Sequence, residues 1–200
     1  IVRVDGATKF HEQYRVGSFF SDPELYKRVE VLRGPASSTL YGAGALAGVI
    51  DLTTKDAADF LKGEDKFAFR QKVELHNNQD GLLSSSTIAA RPVDGLDLLG
   101  NFNYRQADEY EDGNGTPISG SDFEAPSGLL KGTYQFGAAK EHKLRASYQH
   151  WTTEENDSDY SQTGTIDAFG TVDRTVTDQT GVLSYNYTPT SNPLIDLELF

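Results

Sequence analysis

From Lys66 to Phe200 apolar and polar side chains alternate in short runs broken by turn residues. Phe67, Phe69, Val73 and Leu75 alternate with Ala68, Arg70, Lys72 and Glu74, and Leu96, Leu98, Phe102 and Tyr104 with Asp97, Asn101, Asn103 and Arg105. Leu130, Tyr134 and Phe136 alternate with Lys131, Thr133 and Gln135, and Leu144, Ala146 and Tyr148 with Arg145, Ser147 and Gln149. Leu183, Tyr185 and Tyr187 flank Ser184 and Asn186, while Ile195, Leu197 and Leu199 flank Asp196 and Glu198. A period of two places successive side chains on opposite faces of a strand. With a weaker run near Leu83 to Ala90, the pattern predicts about seven strands of ~10 residues, each apolar on one face and polar on the other.

The connections differ in length. Arg91–Gly95, Ala138–His142 and Pro189–Pro193 are short, whereas Ala107–Pro126 and Thr153–Gln179 are long and polar. Short turns at one end and long loops at the other are the pattern of outer-membrane barrels, with the first strand running outward. Tyr104, Tyr148 and Trp151 fall near the long-loop ends; Phe67, Phe136 and Tyr187 fall near the short-turn ends. Two girdles of amphipathic rings at the membrane interfaces account for this. A soluble β-sandwich with aromatic core positions is the alternative, and the polarity of the inward positions favours the girdles.

The first 65 residues have another character. Ile1–Val4 followed by Asp5-Gly6 reads as an edge-type hairpin. Lys9–Phe20 is a polar, aromatic loop that brings His11, Tyr14 and Arg15 close together in sequence. In Ser21-Asp22-Pro23-Glu24-Leu25, Ser21 or Asp22 caps a short helical turn that has Pro23 at its first position. A strand follows over Arg28–Leu32, with Val29 and Val31 on one face and Glu30 on the other. Gly34-Pro35 breaks it, small residues lead to Tyr41 and glycines 42, 44 and 48, and a β-branched run closes the segment at Thr54. Gly42 to Gly48 departs from the spacing of a dinucleotide loop, precedes a strand rather than a helix, and lacks the Lys-Ser/Thr of a P-loop. Gly44 and Gly48 form G-x-x-x-G, but the apolar run around them is far shorter than a membrane helix needs. The glycines therefore read as positions where backbone approaches backbone. Asp56–Asp65 is an acidic connector, which divides the chain into residues 1–54, a linker over 55–65, and a strand-rich part over 66–200.

Composition narrows the function. The chain has no Cys and no Met, so disulfides and thiol chemistry are absent. A mean hydropathy of -0.51 fits a barrel, in which only alternate residues meet lipid. Starting at Ile1 without a leader and ending in mid-strand at Phe200, the sequence reads as an internal piece of something larger. The net charge is -12, from 18 basic and 30 acidic side chains. Asp108, Glu109, Glu111, Asp112, Asp122 and Glu124 crowd the first long loop; Glu154, Glu155, Asp157, Asp159, Asp167, Asp173 and Asp178 crowd the second. These acids read either as solvated loop surface or as a divalent-cation bridge at Asp108–Asn114 or Asp157–Asp159, neither of which has EF-hand spacing. No metal site is assigned. Without a basic stripe, nucleic-acid binding is disfavoured. His11, His76, His142 and His150 are scattered, and no G-x-S-x-G elbow occurs, so no catalytic residue is assigned and the chain reads as a non-enzyme.

RVEVLRGPASSTLYGAGALAGVIDLTTK, residues 28–55, resembles the end of the plug domain of TonB-dependent outer-membrane receptors. In those proteins a strand, an Arg-Gly-Pro, a Tyr-Gly and a Gly-Val-Ile recur in this order. Val4-Asp5-Gly6, Gly17–Leu25 and Lys55–Asp59 are similar to the haem and haemoglobin receptor branch. The resemblance implies an all-β membrane fold: the C-terminal part of a plug over 1–54, then the first seven or so strands of an antiparallel barrel of about 22 strands. It implies residence in the bacterial outer membrane, contact with outer-membrane lipid, and energised uptake of haem, of haem from a haem protein, or of a ferric siderophore. The driving partner would be the TonB complex, acting through a segment upstream of Ile1. No intrinsic cofactor is implied; haem or a ferric complex is cargo. A β-rich surface binding module without transport is the reading from another class. The plug loop carrying His11, Tyr14 and Arg15 is expected to face the ligand. In haem receptors a His stands there as an axial ligand, whereas here Tyr14 or Arg15 holds the aligned position and His11 lies a few residues earlier. Arg28, Glu30 and Arg33 are expected to pair the plug with the barrel wall. Gly34, Pro35, Tyr41, Gly42, Gly44 and Gly48 are expected to pack it.

Overall fold

The computed structural model describes residues 1–9, 21–34, 41, 45, 47–159 and 169–200. Its strands form two sheets. The smaller one comprises β1 (Val2–Val4), β2 (Ala7–Lys9), β3 (Tyr26–Arg33) and β4 (Gly48–Thr54) in the order β2-β1-β4-β3. Asp5 and Gly6 join β1 to β2 with φ of 46° and 91°, the paired positive values that make a two-residue turn match strand twist.

The hairpin forms one edge of this sheet, as the sequence reading expects, with β2 the edge strand. β1 lies between β2 and β4 and runs parallel to β4, with Val2, Arg3 and Val4 opposite Ile50, Asp51 and Leu52. That pairing joins residues almost fifty positions apart and sets Val4 opposite Leu52, both buried, a contact that no local period encodes. At Gly48 φ is +131°, and a Cβ would stand 2.1 Å from the Leu32 carbonyl oxygen. Only glycine fits where β4 meets β3.

Asp22 caps the 3-10 turn Pro23–Leu25, accepting from the Glu24 amide at 2.8 Å, with Pro23 in the first turn. The turn leads directly into β3. A second 3-10 turn, Ala57–Asp59, follows β4.

The larger sheet is a seven-stranded antiparallel meander in chain order: β5 (Phe67–His76), β6 (Gly81–Val93), β7 (Leu96–Ala107), β8 (Phe123–Phe136), β9 (His142–Asp159), β10 (Thr171–Tyr187) and β11 (Leu197–Leu199). The predicted alternation is realised face by face. Phe67, Phe69, Val73, Leu75, Phe102, Leu130 and Leu183 stand exposed on the outer face. The inner face carries Ser85, Thr87, Asn101, Asn103, Ser127, Lys131, Gln149 and Thr180, all buried. Apolar outside and polar inside is the inverse of a soluble sandwich, and it is what a membrane barrel wall requires.

Several boundaries depart from the sequence reading, among them the end of the expected loop Ala107–Pro126, where β8 takes Phe123–Pro126. β9 and β10 continue to Asp159 and from Thr171, so most of the expected loop Thr153–Gln179 is strand. Glu154, Glu155, Asp157, Asp173 and Asp178 are therefore strand residues. Thr- and Val-rich alternation has high strand propensity, and the cross-strand pair Arg174–Glu155 supports the extension past the apolar part. Arg91–Val93 belongs to β6, which leaves Asp94-Gly95 as the turn. Between β5 and β6 only residues 77–80 intervene, at the end where the other connections are long.

The short-turn girdle also includes His142, which the sequence assigns to a turn. Tyr134, Phe136, His142 and Tyr187 stack in succession at centroid distances of 5.3, 4.9 and 4.7 Å. Trp151, expected in the opposite girdle, is 7% exposed and shares the inward row with Gln149 and Thr153. It lies one register step beyond the outward positions, so strand parity overrides aromatic preference.

The sheets meet through an apolar cluster of Leu25, Ala57 and Leu61 against Ala89, Leu99 and Leu129 of the wall. The two 3-10 turns supply Leu25 and Ala57, which places both turns against β6–β8.

Candidate functional site

The inner sheet is fastened to the wall by ion pairs at four places. The most buried centres on Lys131 of β8, whose side chain is 2% exposed. Its Nζ donates to Thr54 Oγ1 at 2.8 Å and lies 3.3 Å from Asp5 Oδ2 and 3.1 Å from Asp56 Oδ1. The Asp5 carboxylate also accepts from the Thr54 amide at 3.0 Å and from the Thr54 hydroxyl. One wall lysine thus ties the β1–β2 turn to the end of β4. Asp56 is shared further: Lys27 reaches Oδ2 at 2.7 Å and Arg145 of β9 stands 3.8 Å from Oδ1.

At the second place Arg105 of β7 grips the buried Asp22, with Nε and Nη2 donating at 3.1 and 3.4 Å. The same carboxylate caps the 3-10 turn, so the turn is oriented by the wall. At the third, Glu24 lies between Lys72 of β5 at 2.6 Å and Lys55 at 3.2 Å. At the fourth, Lys9 at the end of β2 pairs with Asp178 of β10 at 2.7 Å and bonds to Thr180. Nearby, the Tyr26 hydroxyl meets Ser21 at 2.6 Å and Gln149 of β9.

These contacts perturb titration. Burial by itself pushes the Asp56 carboxyl up, but Lys131, then Lys27 and Arg145, bring it below its ordinary value. Glu24 follows the same logic, with burial outweighed by Lys72 and Lys55. Burial pushes the Tyr26 phenol up. For Lys27, burial is outweighed by Asp56 and Asp59, which hold its ammonium above the usual value.

His11, Tyr14 and Arg15 lie outside the described residues, as do Pro35, Gly42 and Gly44. The residues on either side of the first group, Lys9 and Asp22, are fastened to β10 and β7. Arg28 and Glu30 pair with each other at 3.2 Å on the exposed face of β3 rather than with β5–β11, and Arg33 ends that strand opposite Gly48. Tyr41 packs its ring under the Arg3 guanidinium at 4.9 Å, while Arg3 also donates to the Gly6 carbonyl. The Tyr of the glycine-rich segment therefore braces the β1–β2 turn.

The anchors Asp5, Lys9, Asp22, Glu24, Asp56, Lys131 and Asp178 are missed by sequence reasoning. Half of the signal was present: Arg105 and Lys131 are each the one basic residue in a largely uncharged inward row, and Lys72 shares its row with Arg70 and Glu74. Their acidic partners could not be matched, because Lys131 and Asp5 are 126 positions apart.

At the long-loop end a cavity of about 570 Å³ is lined by Asp108, Glu109, Glu111, Asp122, Asn156 and Asp157. The loop before β8 is ordered over it: Asp112 Oδ1 accepts from the Asn114 and Thr116 amides at 2.8 and 2.9 Å, and Asn78 clasps the Glu111 backbone. Asp112, expected among the cation ligands, is thus engaged in a turn. Among the described residues no group of three His, Cys, Asp or Glu is placed to hold a metal ion, and no helix is long and apolar enough to cross a membrane.

Residues 2–49 match the family model described as TonB-dependent Receptor Plug Domain. The chain is 33% identical to the TonB-dependent heme receptor A of Haemophilus influenzae over 98% of its own length and 28% of the relative's. Among solved structures it is similar to the FrpB iron transporter from Neisseria meningitidis (TM-score 0.77, 25% identity, 93% of this chain and 30% of that one). It also resembles the hemophore receptor HasR of Serratia marcescens, solved as a double mutant with its hemophore HasA and heme (TM-score 0.79, 20% identity, 98% and 28%). The chain spans less than a third of the length of each of these relatives.

Proposed function

Because the chain belongs to the TonB-dependent outer-membrane receptors, we propose that it forms the plug end and first wall strands of a receptor for energised uptake of haem. The observation that carries this reading is the identity of 33% to a haem receptor over 98% of the chain, plug and wall alike. The ion pairs that fasten the inner sheet to β5–β10 keep the lumen closed at rest. Ligand is captured at the long-loop end, by the loops and by the segment that carries His11, Tyr14 and Arg15. Pulling by the TonB complex through a segment upstream of Ile1 loads β1, and its parallel pairing to β4 conveys the load to Thr54, Asp56 and the Lys131 anchor. Buried pairs are costly to separate singly, since each leaves an uncompensated charge. They therefore let go together, under load and not by thermal fluctuation. The receptor transports its ligand unchanged and is not an enzyme.

A spectral titration of the purified full receptor tests the ligand. Haem produces a saturable Soret shift that weakens in Tyr14→Phe or His11→Ala if that segment holds it. The likeness to an iron transporter favours a second reading, a ferric-siderophore receptor of the same fold. Tight binding of a ferric siderophore with no haem response would replace the first reading by the second.

A further inference from the structure

At the short-turn end, between the connector and the wall, lies a cavity of about 260 Å³ lined by Lys27, Asp56, Asp97, Thr133, Lys143 and Arg145. Thr133 on β8, with Lys143 and Arg145 on β9, occupies the inward row, because the neighbouring Tyr134 and Leu144 stand on the outer face. The cavity therefore opens to the lumen and not to lipid.

Its charges are unbalanced. Asp97 is consumed by Arg91, which grips both carboxylate oxygens at 2.7 and 3.1 Å. Asp56 is already shared by Lys27 and Lys131. Arg145 Nε and Asp56 Oδ1 are both buried without a hydrogen-bond partner and face each other as an ion pair at 3.8 Å, too far apart for a hydrogen bond to satisfy the guanidinium. Among the described residues the ion pairs of the cavity's acids leave Lys143 out. A buried guanidinium N–H without an acceptor is a costly feature in a folded protein, and a cationic lining of this kind has the chemistry of an oxyanion site.

We propose that this cavity is an oxyanion subsite on the inner side of the receptor, in which Arg145 and Lys143 hold a carboxylate or phosphate between plug and wall. Two sources share that chemistry: a carboxylate of the cargo on its way inward, such as a haem propionate, and free phosphate of the periplasm. The cargo source rests on the haem reading above; the site itself does not. Arg145 and Lys143 face the lumen a strand's length from the acid-lined cavity, so an anionic ligand released at the outer end meets them last. Lys27 and Asp56 sit on the plug side of the cavity, so displacement of the plug widens it at the moment of release.

The test uses the purified full receptor in detergent, with inorganic phosphate as probe by titration calorimetry. Wild type binds phosphate; the double variant Lys143→Met, Arg145→Gln loses at least tenfold in affinity, and Arg145→Lys with Lys143 intact retains most of it. Heat-modifiable gel migration shows that each variant is folded. Equal phosphate binding by the folded double variant and wild type, or none by either, overturns the proposal. The sources are separated in cells. Several-fold slower haem uptake by the double variant, with unchanged haem titration of the pure protein and no difference for haem dimethyl ester, assigns the cargo carboxylate. Unchanged uptake with lost phosphate binding assigns periplasmic phosphate. If the receptor fails to bind haem while phosphate binding still depends on Arg145 and Lys143, the haem reading falls and the oxyanion subsite stands.

Discussion

Replacing Lys131 by Met probes the fastening of plug to wall most directly, because Met keeps the volume and removes only the ammonium. The Lys131 side chain is 2% exposed and faces Asp5, Thr54 and Asp56 within 3.3 Å. Removing one partner from a buried ion pair costs about 3–5 kcal/mol, since the remaining charge is left in a low-dielectric site. Two compensations hold the expected cost near the lower figure: Asp5 keeps the Thr54 amide and hydroxyl, and Asp56 keeps Lys27 at 2.7 Å. A loss of about 3 kcal/mol changes an equilibrium roughly a hundredfold. Hydrogen exchange of the full receptor, followed by mass spectrometry on peptides spanning Thr54, reads it out, because that amide is donated to Asp5. Exchange there should accelerate by about two orders of magnitude if local opening governs it. Lys140→Met is the control. Its pair with Asp94 lies in water, at 49% and 84% side-chain exposure, and exposed pairs contribute little. Equal exchange in Lys131→Met and Lys140→Met would refute the reasoning.

Other consequences follow from the same geometry. The Asp56 and Glu24 carboxyls are held below their ordinary values when docked, so their stabilisation is complete above the unfolded values near pH 4 and is lost as pH falls through the lower docked values. Plug protection in hydrogen exchange should therefore hold at neutral pH and fall only in acid, below about pH 4; loss on raising pH from 6 to 9 would contradict the sign. Gly48→Ala forces a Cβ to 2.1 Å from a backbone oxygen at φ +131°, and should destabilise the inner sheet by more than about 3 kcal/mol. Limited proteolysis of the folded receptor, with cleavage confined to the plug, is its measurement. Leu130→Arg, next to the buried Lys131 but 65% exposed on the outer face, should cost about 2–4 kcal/mol in a folding titration into lipid vesicles.

Alternation along the chain determined the wall. A period of two fixes which face of each strand is apolar, so the outer row Phe67, Phe102, Leu130 and Leu183 and the inner row Asn101, Asn103, Lys131 and Gln149 were legible residue by residue. The Asp5-Gly6 turn and the cap at Asp22-Pro23 were legible too, because turn and cap chemistry is local. Gly48 was visible as a tight position, though not which backbone atom it met. Tertiary structure alone decided the rest. The β1–β4 pairing and the anchors Lys131–Asp5–Asp56, Arg105–Asp22 and Lys9–Asp178 join positions about 50 to 170 apart. An inward charge declares in the sequence that it needs a partner, since burying it unpaired is too costly. Which partner it finds depends on how a separate sheet sits in the lumen, and that follows from packing summed over the whole interface rather than from any local pattern.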